Sequence, residues 1–519
     1  MKFKWRILAV AAIAALVVCS YNIGIRNNIE QEEEANLSYY QTESVYLWYS
    51  DDKFTDYFTS AAVAFNEMNP GIIVVPKLID SENYLETINK ASVEGEEYPD
   101  ILVLTNDALE KAYLSGLASE VLDTSNVANT DHFSQVALDA VTYKGKKVGY
   151  PLFFETSVLV YNKTYLSDWL AKVKAEGRKE EEQLTEEEIK AEGGIIEEGE
   201  ETETEYREGY DYETLTLEDL IPRTIDGIKT FADDYDAPDG VDGVFKWDVS
   251  DVFYNYFFAG NYMIVGGPSG DDEKNIDIYN EKTIQCMNIY QGLNQFFSID
   301  ADESSYEGML ENFEKGKFVF TIATSDVIAK LKTANEEARA QYEEDMKAFE
   351  STVADLDVSL ERGDIKEEEY NEKLERAEAK VTKVYEYGFA RIPNLTPELE
   401  SKSLSVTDCL VVNGYSSHKE AANKFAAFVS TEYADHLYAK TGVIASTTDV
   451  EYDDYRLMLF QEEYANSIPI PKMVEASNFW VQLEITFTKI WTGENSDELL
   501  KKLSEQINNQ LAMNNKEEN

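Results

Sequence analysis

From Thr55 to Met68 the apolar residues Tyr57, Phe58, Ala61, Ala62 and Phe65 recur every three or four positions, which predicts an amphipathic helix. The apolar stretch SVYLWYS before it predicts a strand. NPG then ends the helix, ahead of a second apolar strand, IIVVPKLI. A further helix from about Asn83 leads to PDILVLTND, whose unbroken apolar run suits a strand buried on both faces of a parallel sheet. Strands and helices in alternation predict an α/β fold, in which ligands gather at the carboxyl ends of the strands.

Two segments break this rhythm. Residues 176–213 are dominated by glutamate with few apolar positions, the pattern of a solvated surface insertion. In residues 332–383, Tyr342, Met346, Phe349, Val353, Leu356 and Leu360 are spaced 4-3-4-3-4, and RGD interrupts. Tyr370, Leu374, Ala377, Val381 and Val384 then resume at 4-3-4-3. Two heptad seams joined by a turn predict an inserted antiparallel helical hairpin, a coiled coil serving as a docking arm for a partner or simply a tolerated insertion.

The N-terminus carries a different signal. MKFKWR followed by ILAVAAIAALVV is the basic and apolar layout of an export signal. Cys19 stands where a lipoprotein would be cleaved and lipidated, although Val18 replaces the small residue favoured before it. Residues 1–25 are therefore expected to act as a signal peptide or as an uncleaved helical anchor, with residues 26–41 as an acidic linker. Either way the body, from near Thr42, is expected on the outer face of the cytoplasmic membrane.

Charge narrows the partners. With 46 basic and 100 acidic residues the net charge is −54, which repels phosphate backbones and argues against nucleic acid. Beyond Cys19 the cysteines, Cys286 and Cys409, suggest buried small side chains, and the three histidines lack ligand spacing, so neither a disulfide framework nor a metal site is expected. The acid-rich GDDEKNID at 270–277 lacks a calcium-loop pattern and reads as a solvated turn.

Four short stretches offer candidate chemistry. LWYSDDKF ends a strand in Ser50, Asp51, Asp52 and Lys53, polar groups placed either to meet hydroxyls or to cap the next helix. In TNDALEKAYLSGL, Asp107 and Glu110 fit a capping box, and Asp107 also stands at a strand end facing a crevice. GYPLFFETSVLVYNK sets Glu155 alone among apolar neighbours, costly unless a partner or ligand compensates it. SNFWVQLEITFTKIW predicts a helix with Phe479, Leu483, Ile485, Phe487 and Ile490 inward, leaving Trp480 as a further core residue or as a platform for a sugar ring.

These stretches, in this order, together with FFAGNYMIVGG, MLENFEKGKFVFTIATSD, YGFARIPNL and SLSVTDCLVVNGYSSHKEAANKFAAFVS, resemble the extracellular solute-binding proteins of carbohydrate ABC transporters, most closely the maltose and maltodextrin branch. The resemblance spans nearly all of Thr42 to Asn508 outside the two insertions. It implies a type II periplasmic-binding-protein fold, with residues 42–154 and 409–466 in one lobe, residues 155–408 and 467–512 in the other, and hinge strands between. It also implies that Asp52, Lys53, Asp107, Glu155 and Trp480 contact the ligand, and Ser50 stays a candidate from its place at the strand end. Asp326 falls where the branch has a tryptophan, and Leu104, Ala108, Val481 and Glu484 also depart from its pattern. Tyr49, Phe154 and Tyr254 are candidates either for replacement stacking surfaces or for core.

The expected function is the capture of an extracellular carbohydrate for an ABC permease, with no catalysis and no cofactor. The rivals are a secreted glycoside hydrolase using two of Asp107, Glu155 and Glu484, a binder of a cationic or peptide solute, and a scaffold acting through the hairpin.

Overall fold

The computed structural model describes residues 43–79, 83–94, 97–181, 214–301, 304–473 and 477–517. The signal segment with Cys19, the acidic linker and residues 182–213 of the acidic insertion lie outside them.

The first lobe opens with β1 (Glu43–Tyr49), α1 (Thr55–Met68), β2 (Ile72–Leu78), α2 (Tyr84–Glu94) and β3 (Ile101–Thr105). The stripe Tyr57, Phe58, Ala61, Ala62 and Phe65 is buried, as its spacing requires. β1 lies parallel to both β2 and β3. The chain then runs through β4 (Tyr150–Thr156) and, after the single residue Ser157, β5 (Val158–Asn162). That residue marks the first passage between lobes. β4 belongs to the seven-stranded first sheet, whereas β5 is central in a four-stranded second sheet.

The second lobe contains α3 (Lys163–Glu181), β6 (Gly243–Phe245), β7 (Phe318–Ala323), α4 (Val327–Glu361), α5 (Glu367–Glu378) and β8 (Tyr387–Ala390). Its sheet has the order β8, β5, β7, β6, with β7 and β8 antiparallel to β5. The chain returns through β9 (Leu404–Val412), which pairs antiparallel with both β3 and β4. There follow α6 (Lys419–Ser430), β10 (Ile444–Ala445) and α7 (Tyr455–Asn466). A third passage, through β11 (Ile468–Pro469), ends in α8 (Ser477–Trp491) and α9 (Ser496–Glu517). Two lobes joined by three chain passages make the two-lobe solute-binding architecture.

α4 and α5 pack on each other, but among the described seam residues only Leu356 is buried and none of α5 is. Two helices with no third layer can bury only a narrow stripe. α4 is longer than its heptads foretold: it starts at Val327, and Val327, Ile328 and Leu331 anchor it in a core shared with Phe154 and Ile444 of the first lobe. In α8, Ile485 is exposed at 43%, contrary to its expected inward role, while Trp491 is buried instead.

A candidate binding face of carboxylates at the hinge

In a strand, neighbouring side chains point to opposite faces. Phe153 and Glu155 of β4 therefore share a face, while Phe154 and Thr156 share the other. The register pairs Val406 with Glu155 and Asp408 with Phe153, so Asp408 joins Glu155 on the same face from the adjacent strand. Across β9, Asp408 also stands opposite Thr105, at the end of β3 that leads into Asp107. The carboxyl ends of β1, β3 and β4 thus meet at one edge of the first sheet.

Neither Glu155 nor Asp408 has a hydrogen-bond or ion-pair partner among the described residues. Burial and then the facing Asp326 push the Glu155 carboxyl above the usual range, against the pull of Lys53. Asp408 is pushed up to about 7, by burial first and Glu155 next, with Lys53 opposing and Asp107 and Asp51 adding. The five carboxylates 51, 107, 155, 326 and 408 therefore face one region, and Lys53 is the cation that both Glu155 and Asp408 feel.

The turn after β1 holds Lys53. Asp51 caps the short helix Asp52–Phe54 by accepting from the Lys53 backbone N–H at 2.9 Å, and it pairs with the Lys53 ammonium at 3.0 Å. That ammonium lies 5.1 Å from the Phe54 ring centre and 5.9 Å from that of Phe153, which are stacked on each other. Asp52 accepts from the Thr55 hydroxyl, and Ser50 is exposed at the strand end. Asp107 accepts from Thr105. The capping box with Glu110 does not form: Glu110 is buried and accepts from Tyr143 at 2.8 Å, a partner in a distant segment that spacing could not reveal.

The second lobe supplies the opposite wall. Tyr254 stacks on Tyr306 with ring centres 4.8 Å apart and planes 10° from parallel. The Tyr306 hydroxyl donates to Asp326 at 2.6 Å, as does that of Thr324, and Lys330 pairs with Asp326 one helical turn on. Asp326 and Glu155 both act on Tyr254, which ties this wall to the hinge. Farther along, Glu484 of α8 lies close enough to Asp251 to feel its charge. Trp480, one turn before Glu484, packs half-buried against Tyr256 with its indole N–H enclosed and unpaired. Such an arrangement offers acceptors to hydroxyl or ammonium donors, one central cation, and aromatic faces.

The family's sequence profile matches residues 60–456 as a bacterial extracellular solute-binding protein. The chain belongs to this family. Solved structures carry the fold assignment further. An extracellular solute-binding protein from Staphylococcus aureus in complex with maltose superposes with a TM-score of 0.63 at 16% identity, covering 93% of this chain and 99% of its own. A cyclo/maltodextrin-binding protein with maltotetraose gives 0.64 at 15%, covering 92% and 99%. A maltose-binding periplasmic protein from Listeria monocytogenes, also with maltose, gives 0.62 at 18%, covering 91% and 98%. No curated protein matches the sequence.

For this solute-binding protein the hinge face assembles Lys53, Asp107, Glu155, Tyr254 and Asp326, whereas Ser50 and Asp52 adjoin it only through their turn. Tyr49 and Phe154 are not stacking surfaces: both are buried, Tyr49 donating to Thr55 and Phe154 stacked on Tyr464 behind the sheet, and Tyr254, at 8% exposure with one ring face on Tyr306, is itself part of the second lobe's core. Asp408 and Tyr306 escaped the sequence reading. Asp408 had a usable signal, a lone carboxylate inside the apolar strand LSVTDCLVV, the same anomaly that marked Glu155. Tyr306 had none, since YEGMLENFE reads as an ordinary helix start.

Proposed function

We propose that the protein is the sugar-capturing component of an ABC importer, holding a carbohydrate between its lobes and delivering it to the permease. The observation that carries this reading is the pair Glu155 and Asp408, half-buried, without partners among the described residues, and joined through Glu155 to the wall that holds Tyr254. Hydroxyls donating to those carboxylates offset the cost of burying them, and the aromatic faces receive the apolar side of a pyranose. Asp107, Lys53 and Asp326 extend the hydrogen-bonding rim, with Ser50, Asp52 and Trp480 as outlying contacts. The maltose and maltotetraose held by proteins of the same fold support the ligand class. Closure of the lobes over the sugar is the matching motion.

The N-terminal segment tethers the body to the outer membrane face, through a lipid on Cys19 or as an uncleaved helix. The hairpin, residues 332–383, and the acidic insertion, residues 176–213, are additions to the binding body. Removing the hairpin separates its role from capture: persistent sugar binding with a lost protein partner marks a docking arm.

A glycan array followed by thermal shift on the chain tests the central claim. A ligand at about one hundred times its dissociation constant should raise stability by nearly 3 kcal/mol. Peptides or polyamines shifting the melt where no sugar does would overturn the ligand class. Oligosaccharide cleavage abolished by Glu155→Gln would overturn the binding-only role.

A further inference from the structure

Behind the hinge, on the face of the sheet away from Glu155 and Asp408, lies a second recess. Its volume is about 590 Å³, within the range of small-molecule sites. One wall is the turn holding Arg223, another is β8 with the residues just after it, a third is the passage Glu400–Lys402, and α7 closes it with Leu459, Glu463 and Asn466. A neighbouring hollow shares the wall of Glu218, Ile221, Pro222 and Arg223 and adds Asp219.

The polar inventory of the recess is unbalanced in one respect. Arg391 is paired with Glu462 at 2.6 Å, and Glu463, 6% exposed, accepts from Ser403 at 3.0 Å. Arg223 and Lys402 have no hydrogen bond or ion pair within 4 Å among the described residues, although Arg223 lies near enough to Asp219 to help its Thr216 hydrogen bonds hold that carboxyl below the usual range. The Ser401 hydroxyl is buried with no partner, although the Ser401 backbone N–H is held by Asn394 at 3.0 Å. In a chain with 100 acidic and 46 basic residues, the buried Ser401 hydroxyl is the group of this hollow that lacks an acceptor, and the exposed Arg223 and half-exposed Lys402 line the same hollow with charge that an incoming acceptor can meet. The carboxylates of Glu218 and Glu400 line the same hollow but are exposed and lie beyond ion-pair distance of either cation.

We propose that this recess is a second binding site, for a small organic anion whose carboxylate or phosphate group accepts from Arg223, Lys402 and Ser401. Such a group is acceptor-only and takes charge-assisted hydrogen bonds from all three. The apolar side chains of Ile221, Pro222 and Leu459 would cover the rest of a metabolite-sized molecule. The sugar cleft, with five carboxylates facing it, rejects the same ligand, so anion binding reads on the rear site alone.

The test is calorimetric titration of the full chain with inorganic phosphate and, separately, with citrate, without sugar. Saturable binding of one anion per chain is expected, and the stronger of the two probes identifies the phosphate or the carboxylate as the preferred group. The double substitution Arg223→Gln with Lys402→Gln should weaken binding about a hundredfold, two charge-assisted hydrogen bonds being lost. Ser401→Ala should weaken it about tenfold. Both cations are surface residues, and an unchanged melting curve shows that the fold persists. No saturable binding of either probe, or binding that survives the double substitution, would overturn the proposal. Neither result would touch the sugar reading, which is measured by a different ligand.

Discussion

Two faces of one short piece of sheet make the most instructive contrast in this protein. On the cleft face Glu155 and Asp408 stand without a partner among the described residues, and burial raises the pKa of both carboxyls. On the rear face the alternating neighbours of the same strands are fully engaged. Thr156 donates to Ser403 at 2.9 Å and Ser403 to Glu463 at 3.0 Å, a chain that links the first passage, the second passage and α7. Thr407 meets the Tyr464 hydroxyl at 2.7 Å, and Phe154 stacks on Tyr464 with centres 4.0 Å apart and planes 1° from parallel. Ser467 donates to Ser405 at 2.7 Å, joining the third passage to the second. The same backbone thus separates its tasks by parity: satisfied groups hold the passages together behind, and unsatisfied ones wait in front.

The contrast can be broken most forcefully from behind. Phe154→Ala removes a buried ring from the shared core and should cost about 3–5 kcal/mol, read by denaturant unfolding. One residue along, Glu155→Ala should behave oppositely. Sugar affinity falls by about one to two orders of magnitude, the loss expected for hydrogen bonds to a charged group, while the melting temperature holds or rises. Loss of the fold in that variant would return Glu155 to a purely structural role.

Asp408 sharpens the contrast through pH. Its carboxyl titrates at about 7 in the fold, far above its unfolded range, so the native state binds its proton more tightly. The stability it contributes is complete in acid, below the unfolded value, and is lost as pH rises through about 7. Asp408→Asn should therefore be more stable than the parent by about 1–3 kcal/mol at pH 8 and nearly equal at pH 4. Glu463 also titrates at about 7, mainly through burial, so it keeps some of the same slope in D408N. Sugar donors favour the ionised carboxylate, and parent affinity should climb from pH 6 to 8, measured by titration at each pH. The mildest effect belongs to Ser403→Ala, which interrupts the rear chain: about 1 kcal/mol of stability, with sugar affinity within about twofold.

Local order was readable from the amino acids because it depends on near neighbours. The stripe of α1, the stop at Asn69 and the apolar run of β3 all landed within a residue or two. Charge among apolar neighbours singled out Glu155, and the resemblance set it at the hinge; the structure places it two residues before Ser157, at the first passage between the lobes. What stayed hidden depends on register between distant segments. Nothing in LSVTDCLVV says that Asp408 lies beside Phe153, and nothing in LFFET says that Phe154 turns away from the cleft onto Tyr464. Glu110 shows the same limit: a capping pattern four residues long lost to a tyrosine hydroxyl more than thirty positions away.

The anchoring of α4 has a mechanical consequence. Its first residue follows Asp326 directly, its first turns are fixed in the core, and it continues unbroken for 35 residues, a rod about 50 Å long. A lobe rotation of about 15°, typical of rigid-body switching, would carry its tip through roughly 13 Å. Displacements at the cleft that are small on the scale of a sugar ring are thereby magnified at the far end of the arm into a swing wider than a helix.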